Sequence, residues 1–329
     1  MSPDVFPTRR KLLMMCALAS LAPGLGAKTL PGTAASQDDK VAYYASPGQN
    51  TDLGEDAAEI RAAGLDVGGL TRIVQGLLIH DFFAESQYGV RLSAEASQSI
   101  HLRRTQDVLH AAKANAPGSI LLARKPADRV ASRCHQYAKL LTAMLRAKGI
   151  AARARCGFAG YLAPGVFEDH WVCEYWQPEE KRWITVDPTI DAALRPITSL
   201  KADPLDLPES TFLSAGAAWQ LCARNQADPK LFGVSALGLT GLWMIAGNLV
   251  RDIAALNKME MLPWDAWGAQ PWPNVAFSDT QTTWFNDVAV LSAQPDANWA
   301  AVKARFQQDP GLRIPSQIFN SLRQRYEAA

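Results

Sequence analysis

The order of three short blocks limits what this chain can fold into: a helix opening on a cysteine, a strand opening on a histidine, and a strand closing on an aspartate. The first block runs Ser132-Arg133-Cys134-His135-Gln136-Tyr137 and on to Gly149, with apolar residues at 137, 140, 141, 144 and 145. That spacing marks one face of a helix. Ser132 is placed to cap its start, Arg146 and Lys148 suit its last turn, and Gly149 suits the position after its end. Cys134 then falls in the first turn, where free backbone N–H groups and the helix dipole favour negative charge. A thiolate is the nucleophilic form of cysteine, so this setting suits a thiol nucleophile.

The partner groups follow in order. Residues 170–176, His-Trp-Val-Cys-Glu-Tyr-Trp, and 183–187, Trp-Ile-Thr-Val-Asp, are rich in aromatic and β-branched residues, as strands are. Polar residues 177–182 separate them. With 177–180 as a four-residue loop, Trp176 faces Lys181, and His170 directly opposes Asp187. Their Cβ atoms are then roughly 5 Å apart. An aspartate so placed fixes the imidazole tautomer while the other ring nitrogen takes the thiol proton.

These blocks carry a resemblance. Cys134, the stretch Leu145-Arg146-Ala147-Lys148-Gly149-Ile150-Ala151-Ala152-Arg153, then Cys156-Gly157-Phe158, His170-Trp171, and Trp183 to Val186-Asp187-Pro188-Thr189 resemble the transglutaminase-like superfamily core in order and spacing. The flanks Val74-Gln75-Gly76-Leu77-Leu78-Ile79-His80-Asp81-Phe82 and Asn257 to Gly268 resemble a narrower bacterial group of such proteins, so the likeness spans most of residues 70–268. One position departs from the pattern: Ser132 stands two before the cysteine, where a small residue, often glycine, is common. Arg133 between them could help hold a thiolate.

The resemblance implies a papain-like α+β fold, with the cysteine-bearing helix packed on an antiparallel sheet, and a triad of Cys134, His170 and Asp187. It implies acyl transfer on carboxamide or peptide bonds, by a cysteine protease or amidase or by a transglutaminase. The substrate class is a peptide or protein, cell-wall peptide included. The superfamily also holds members without catalysis, so a silent peptide- or partner-binding scaffold is the alternative. Neither cofactor nor metal is implied.

Composition agrees with a globular chain. The 329 residues are 48% hydrophobic, enough for a full core, and the formal charge is +1. The sequence has no basic run to suggest a nucleic-acid partner. Thr8-Arg9-Arg10-Lys11-Leu12-Leu13-Met14, the apolar stretch to Ala22 and the small residues to Ala27 resemble a twin-arginine export signal. Residues 1–27 are therefore read as a signal peptide and 28–55 as a linker. Residues 56–200 are the transglutaminase-like core, and 201–329 a helical extension packed on it. The expected location is periplasmic or secreted.

Four cysteines remain after such cleavage: Cys134, Cys156, Cys173 and Cys222. Cys156 and Cys173 sit on neighbouring strands but are read as buried free thiols, and no Cys/His cluster has zinc-ligand spacing. Helices are expected over 56–80, 68–88 and 95–114, and a strand over Ile150–Phe158. Phe232–Val250 carries no charge over 19 residues, yet its glycines and polar residues mark a buried helix rather than a membrane span. His135, adjoining Cys134, points away from it on a helix and is assigned to the surface or to a supporting role. Asp169 faces the other side of its strand from His170, and Asp191 lies past Pro188. His80, His101 and His110 are read as structural, Trp171, Trp176 and Trp183 as core aromatics. Gln98 and Tyr88 are candidate second donors to an oxyanion.

Overall fold

A computed structural model describes residues 36–273 and 275–329. The proposed signal peptide and residues 28–35 of the linker lie outside the described residues. The first elements are mostly helical: α1 (Gln37–Tyr44), α2 (Ala57–Ala62), α3 (Val67–Leu77), β1 (Leu78–His80), α4 (Ala84–Tyr88), α5 (Thr105–Asn115), β2 (Val130–Ser132) and α6 (Cys134–Ala147). The sheet strands follow as β3 (Ala152–Ala159), β4 (Phe167–Gln177), β5 (Arg182–Val186) and β6 (Phe212–Ser214). The rest comprises α7 (Ala215–Ala223), β7 (Phe232–Val234), β8 (Leu239–Thr240), α8 (Leu242–Leu256), β9 (Asp265–Ala266), α9 (Asp279–Ala293), α10 (Trp299–Gln308), β10 (Gln317–Asn320) and β11 (Arg325–Ala328). The chain is thus a mixed helix-and-sheet protein.

The main sheet has the order β6-β3-β4-β7-β8, with β5 also paired to β4. β4 divides its second edge: residues 173–177 pair antiparallel with β5, while Phe167 and Glu168 pair parallel with β7. All eight residues of β3 are buried, so both its faces are covered. One apolar core packs α3 and α6 against the sheet through Leu70, Val74, Leu77, Leu140, Leu141 and Met144, meeting Ile184 and Val186. A second core joins Phe158 and Phe232 to the C-terminal helices through Trp219, Ile245, Leu249 and Phe285. The C-terminal half is therefore continuous with the sheet.

Several expectations are corrected. Residues 37–55, read as a linker, are built into the fold: Ser36 caps α1, Tyr44 is buried and donates to the Leu256 carbonyl at 3.0 Å, and Thr51 accepts from buried Arg146 at 2.7 Å. The helix expected over 56–80 breaks after Ala62, and Leu78–His80 is a strand paired parallel with β2. That strand also divides the helix expected over 68–88. Of the helix expected over 95–114, residues 96–101 form a 3₁₀ turn instead. Phe232–Val250 is two short strands and the start of a helix rather than one buried helix. Gly233, Gly238 and Gly241 take φ of 150°, 66° and 117°, a backbone that other residues resist, and α8 starts only at Leu242. Among the described residues no helix is long and apolar enough to cross a membrane.

Candidate active site

β2 runs directly into α6, with only Arg133 between them in an extended conformation. Ser132 is consequently still strand and does not cap the helix; its hydroxyl donates to the Val130 carbonyl at 3.1 Å. The mouth of α6 is held instead by Gln136. Its side-chain oxygen accepts from the Arg133 N–H at 3.2 Å, and its amide donates to the Ser99 carbonyl at 2.9 Å. Arg133 itself grips Asp81, its Nε lying 3.0 Å from both carboxylate oxygens, and lies 4.3 Å from the Phe82 ring. Gly149 ends the helix with φ of 74°, the left-handed conformation expected there.

The hairpin register differs from the sequence expectation by two residues. Gln177 pairs with Arg182 and Cys173 with Val186, so the loop is 178–181, closed by Lys181 at φ of 52°. His170 and Asp187 are not directly opposed, because β4 extends through Gln177. A shift of two preserves the face of every side chain, where a shift of one would reverse it. The two groups still meet diagonally, His170 Nε2 lying 2.8 Å from Asp187 Oδ2. With Nε2 on the carboxylate, Nδ1 is the ring nitrogen left without a side-chain partner among the described residues, and Cys134 is among the groups that raise the pKa of the ring. Cys134, His170 and Asp187 are 9%, 3% and 0% exposed, so each side chain sits in nearly dry surroundings.

Electrostatics follow from that arrangement. Burial alone disfavours an imidazolium, but the charge and hydrogen bond of Asp187, joined by Cys134, outweigh it and hold His170 well above the usual histidine range. Burial likewise acts to raise Asp187, and His170, the Tyr161 hydroxyl and the Thr189 N–H overcome it, leaving the carboxyl below its ordinary value. The two bonds additional to His170 are 2.6 Å from Tyr161 and 2.9 Å from Thr189. Tyr161 is a residue that the sequence reading missed. It lies past β3 on a turn, and only the folded sheet brings it to Asp187. Burial first, and then Asp187, pushes its phenol far up, so it stays a donor.

The other candidates are placed elsewhere. Asp169 accepts from Asn248 at 2.7 Å, away from His170, and Asp191 accepts from the Tyr88 hydroxyl at 2.8 Å and from the N–H groups of Ala193 and Leu194. The Tyr88 hydroxyl is thereby engaged, and the exposed Gln98 accepts from Arg323 at 2.9 Å. The four described cysteines are all free. Cys173 accepts from Thr142 at 3.2 Å, and burial pushes its thiol up to about 12 and that of Cys222 up to about 11. Trp171 is fully buried beside Cys156, while Trp176 and Trp183 pack edge to face at 5.6 Å. His101 accepts from the Trp264 indole at 3.0 Å, and His110 is exposed. A groove of about 720 Å³ lined by Arg153, Glu174, Trp183 and Asp296 includes none of Cys134, His170 and Asp187.

His135 corrects the surface alternative. It is 1% exposed, both ring nitrogens are buried without partners, and its ring meets Trp264 at 5.4 Å and Trp171 at 6.5 Å. Burial holds it well below the usual histidine range, hence neutral. An unpaired buried polar group costs about 1–3 kcal/mol. His135→Phe is therefore expected to stabilise the fold by about 1 kcal/mol, raising the thermal midpoint by about 2 °C. Differential scanning calorimetry checks this; a lowered midpoint contradicts it.

Comparison with known proteins bears on the same region. The family model described as the transglutaminase-like superfamily matches residues 91–188. A protein-glutamine gamma-glutamyltransferase from Pseudomonas aeruginosa is 41% identical over 68 residues, covering 18% of this chain and 10% of that protein. The chain thus spans about a tenth of the length of the curated relative it matches. The crystal structure of a cysteine-protease candidate from Cytophaga hutchinsonii covers 51% of each chain at 18% identity and a TM-score of 0.18, too loose a superposition to carry an argument. Residues 91–188, which include Cys134, His170 and Asp187, thus form a transglutaminase-like superfamily region.

Proposed function

We propose that this protein is a thiol-dependent acyl-transfer enzyme acting on carboxamide or peptide bonds, with Cys134 as nucleophile, His170 as general base and acid, and Asp187 as the group that orients His170. The observation that carries this reading is the imidazole of His170, bonded through Nε2 at 2.8 Å to Asp187, with Nδ1 left over and Cys134 opening the helix that packs on the same sheet. The sulfur attacks the carbonyl carbon, the C–N bond breaks, and His170 gives its proton to the departing nitrogen. Water or an amine then attacks the thioester, its proton passes to His170, and the C–S bond breaks to restore the thiol. The Cys134 N–H, at the mouth of α6, is one donor for the oxyanion.

The superfamily match supports thiol chemistry, and the name of the matched Pseudomonas protein favours transfer to an amine alongside hydrolysis. The helix bearing the cysteine, packed on antiparallel strands bearing the histidine and aspartate, supports assigning a papain-like arrangement. Peptides or proteins, cell-wall peptides among them, are the substrate class this reading assigns. The Arg9-Arg10 signal supports export to the periplasm or beyond.

Iodoacetamide at pH 5.5 tests the reading. Cys156, Cys173 and Cys222 are held as neutral thiols there by burial, so labelling is expected at Cys134 alone, and it should slow at least about tenfold in His170→Ala. Equal, slow labelling of all four thiols is the outcome of a silent scaffold.

A further inference from the structure

His80 carries hydrogen-bonding capacity that the fold leaves unused. β1 pairs in parallel with β2, setting His80 opposite Ser132, two residues before Cys134. The ring is 7% exposed and stacks on Tyr137 at 6.4 Å, one turn of α6 beyond the cysteine. It also lies against Phe83 at 5.0 Å. Nδ1 is buried without a hydrogen bond, and the nearest carboxylate, Asp81, stands 3.6 Å away and is held by Arg133. Nε2 is neither sealed from solvent nor bonded to any described residue. His135 has both ring nitrogens sealed, whereas His80 keeps Nε2 open to a partner from outside the fold, which is what a functional account of it can use.

The tautomer limits what that account can be. Asp81 at 3.6 Å favours the hydrogen on Nδ1, which leaves a lone pair on Nε2. A lone pair repels an oxyanion but accepts from an N–H or O–H. Burial, ahead of the mixed charges of Asp81, Arg133, His170 and Asp187, pushes this ring down to about 4, so it is neutral at working pH.

We propose that His80 is a second imidazole of the site, whose Nε2 accepts a hydrogen bond from the nucleophile that resolves the acyl-enzyme, a primary amine or water. This rests on the acyl-transfer reading above. Both nucleophiles carry two hydrogens. One leaves as a proton to His170 as the new bond to the thioester carbon forms and the C–S bond breaks. The other is held by His80, which aims the lone pair at the carbonyl. His80 therefore acts in the second half-reaction and not the first.

p-Nitrophenyl acetate separates the two halves. The nitrophenolate burst and the intact mass of the acetylated protein report acylation of Cys134, while decay of that mass, with and without a fluorescent primary amine, reports its resolution. His80→Phe keeps the aromatic packing, and His80→Gln restores an acceptor. In His80→Phe the burst rate is expected within about threefold of the parent and decay slowed about tenfold or more, with acetyl-enzyme accumulating. His80→Gln should recover part of the loss. A role in folding alone would move both steps, so an equal fall in both, or unchanged decay, overturns the proposal. Absence of acetylated Cys134 in the parent protein overturns the acyl-transfer reading itself, and this inference with it.

Discussion

Replacing Asp187 with asparagine is expected to lower acyl transfer by about 10³–10⁴-fold while leaving the fold intact, the size of effect seen when a triad histidine loses its carboxylate. Asp187 has no exposure, and it takes hydrogen bonds from His170, Tyr161 and Thr189. An amide can keep its oxygen on the Thr189 N–H and turn its nitrogen to the Tyr161 hydroxyl, but it cannot hold His170 as an imidazolium. The loss should therefore appear in the turnover rate, with circular dichroism unchanged. A fall of less than about tenfold would remove Asp187 from the chemistry. The same pair has a pH signature. The raised His170 stabilises the fold below its unfolded range and loses that contribution as pH rises through its folded value. The lowered Asp187 contributes above its unfolded range and loses it as pH falls.

The largest expected loss of stability lies in the C-terminal half. Asp252 of α8 has no exposure. Its carboxylate accepts from Arg155 at 3.0 and 2.9 Å, from the Cys156 N–H at 2.9 Å and from Ser292 at 2.7 Å. It thereby fastens α8 and α9 to β3, the strand beside the one that carries His170. Asp252→Ala leaves buried Arg155 with Glu174 as its remaining carboxylate, and it orphans a backbone N–H. Breaking a buried pair in this way costs about 3–5 kcal/mol. A urea titration should show the midpoint fall accordingly, and a change under about 1 kcal/mol would mean that the extension is not integral to the core.

What the sequence made legible was local. The apolar spacing from Tyr137 to Leu145 and the terminal Gly149 located α6, and the aromatic runs around Trp171 and Trp183 located β4 and β5. His170 and Asp187 share a face because strand alternation survived a register error of two. The loop ends could not be placed by eye, since Gln177 and Lys181 are both polar and either can belong to strand or turn. The rest depended on distant contacts. Tyr44 and Thr51 looked like linker residues because their partners, Leu256 and Arg146, come from other elements. Tyr161 lies 26 positions from the carboxylate it binds, and His80 comes opposite Ser132 only through the parallel pairing of β1 with β2. Neither contact leaves a periodic trace in the sequence.

The protonation of His170 in solution tests the central claim most directly, because both the nucleophile and its orienting carboxylate act through that ring. Long-range proton–nitrogen NMR on protein labelled at histidine reads both ring nitrogens across pH. The arrangement predicts that His170 carries hydrogen on both nitrogens through neutral pH and gives up the second only well above the ordinary histidine range. A ring that loses its proton at about 6.5 or below, like an isolated imidazole, contradicts it.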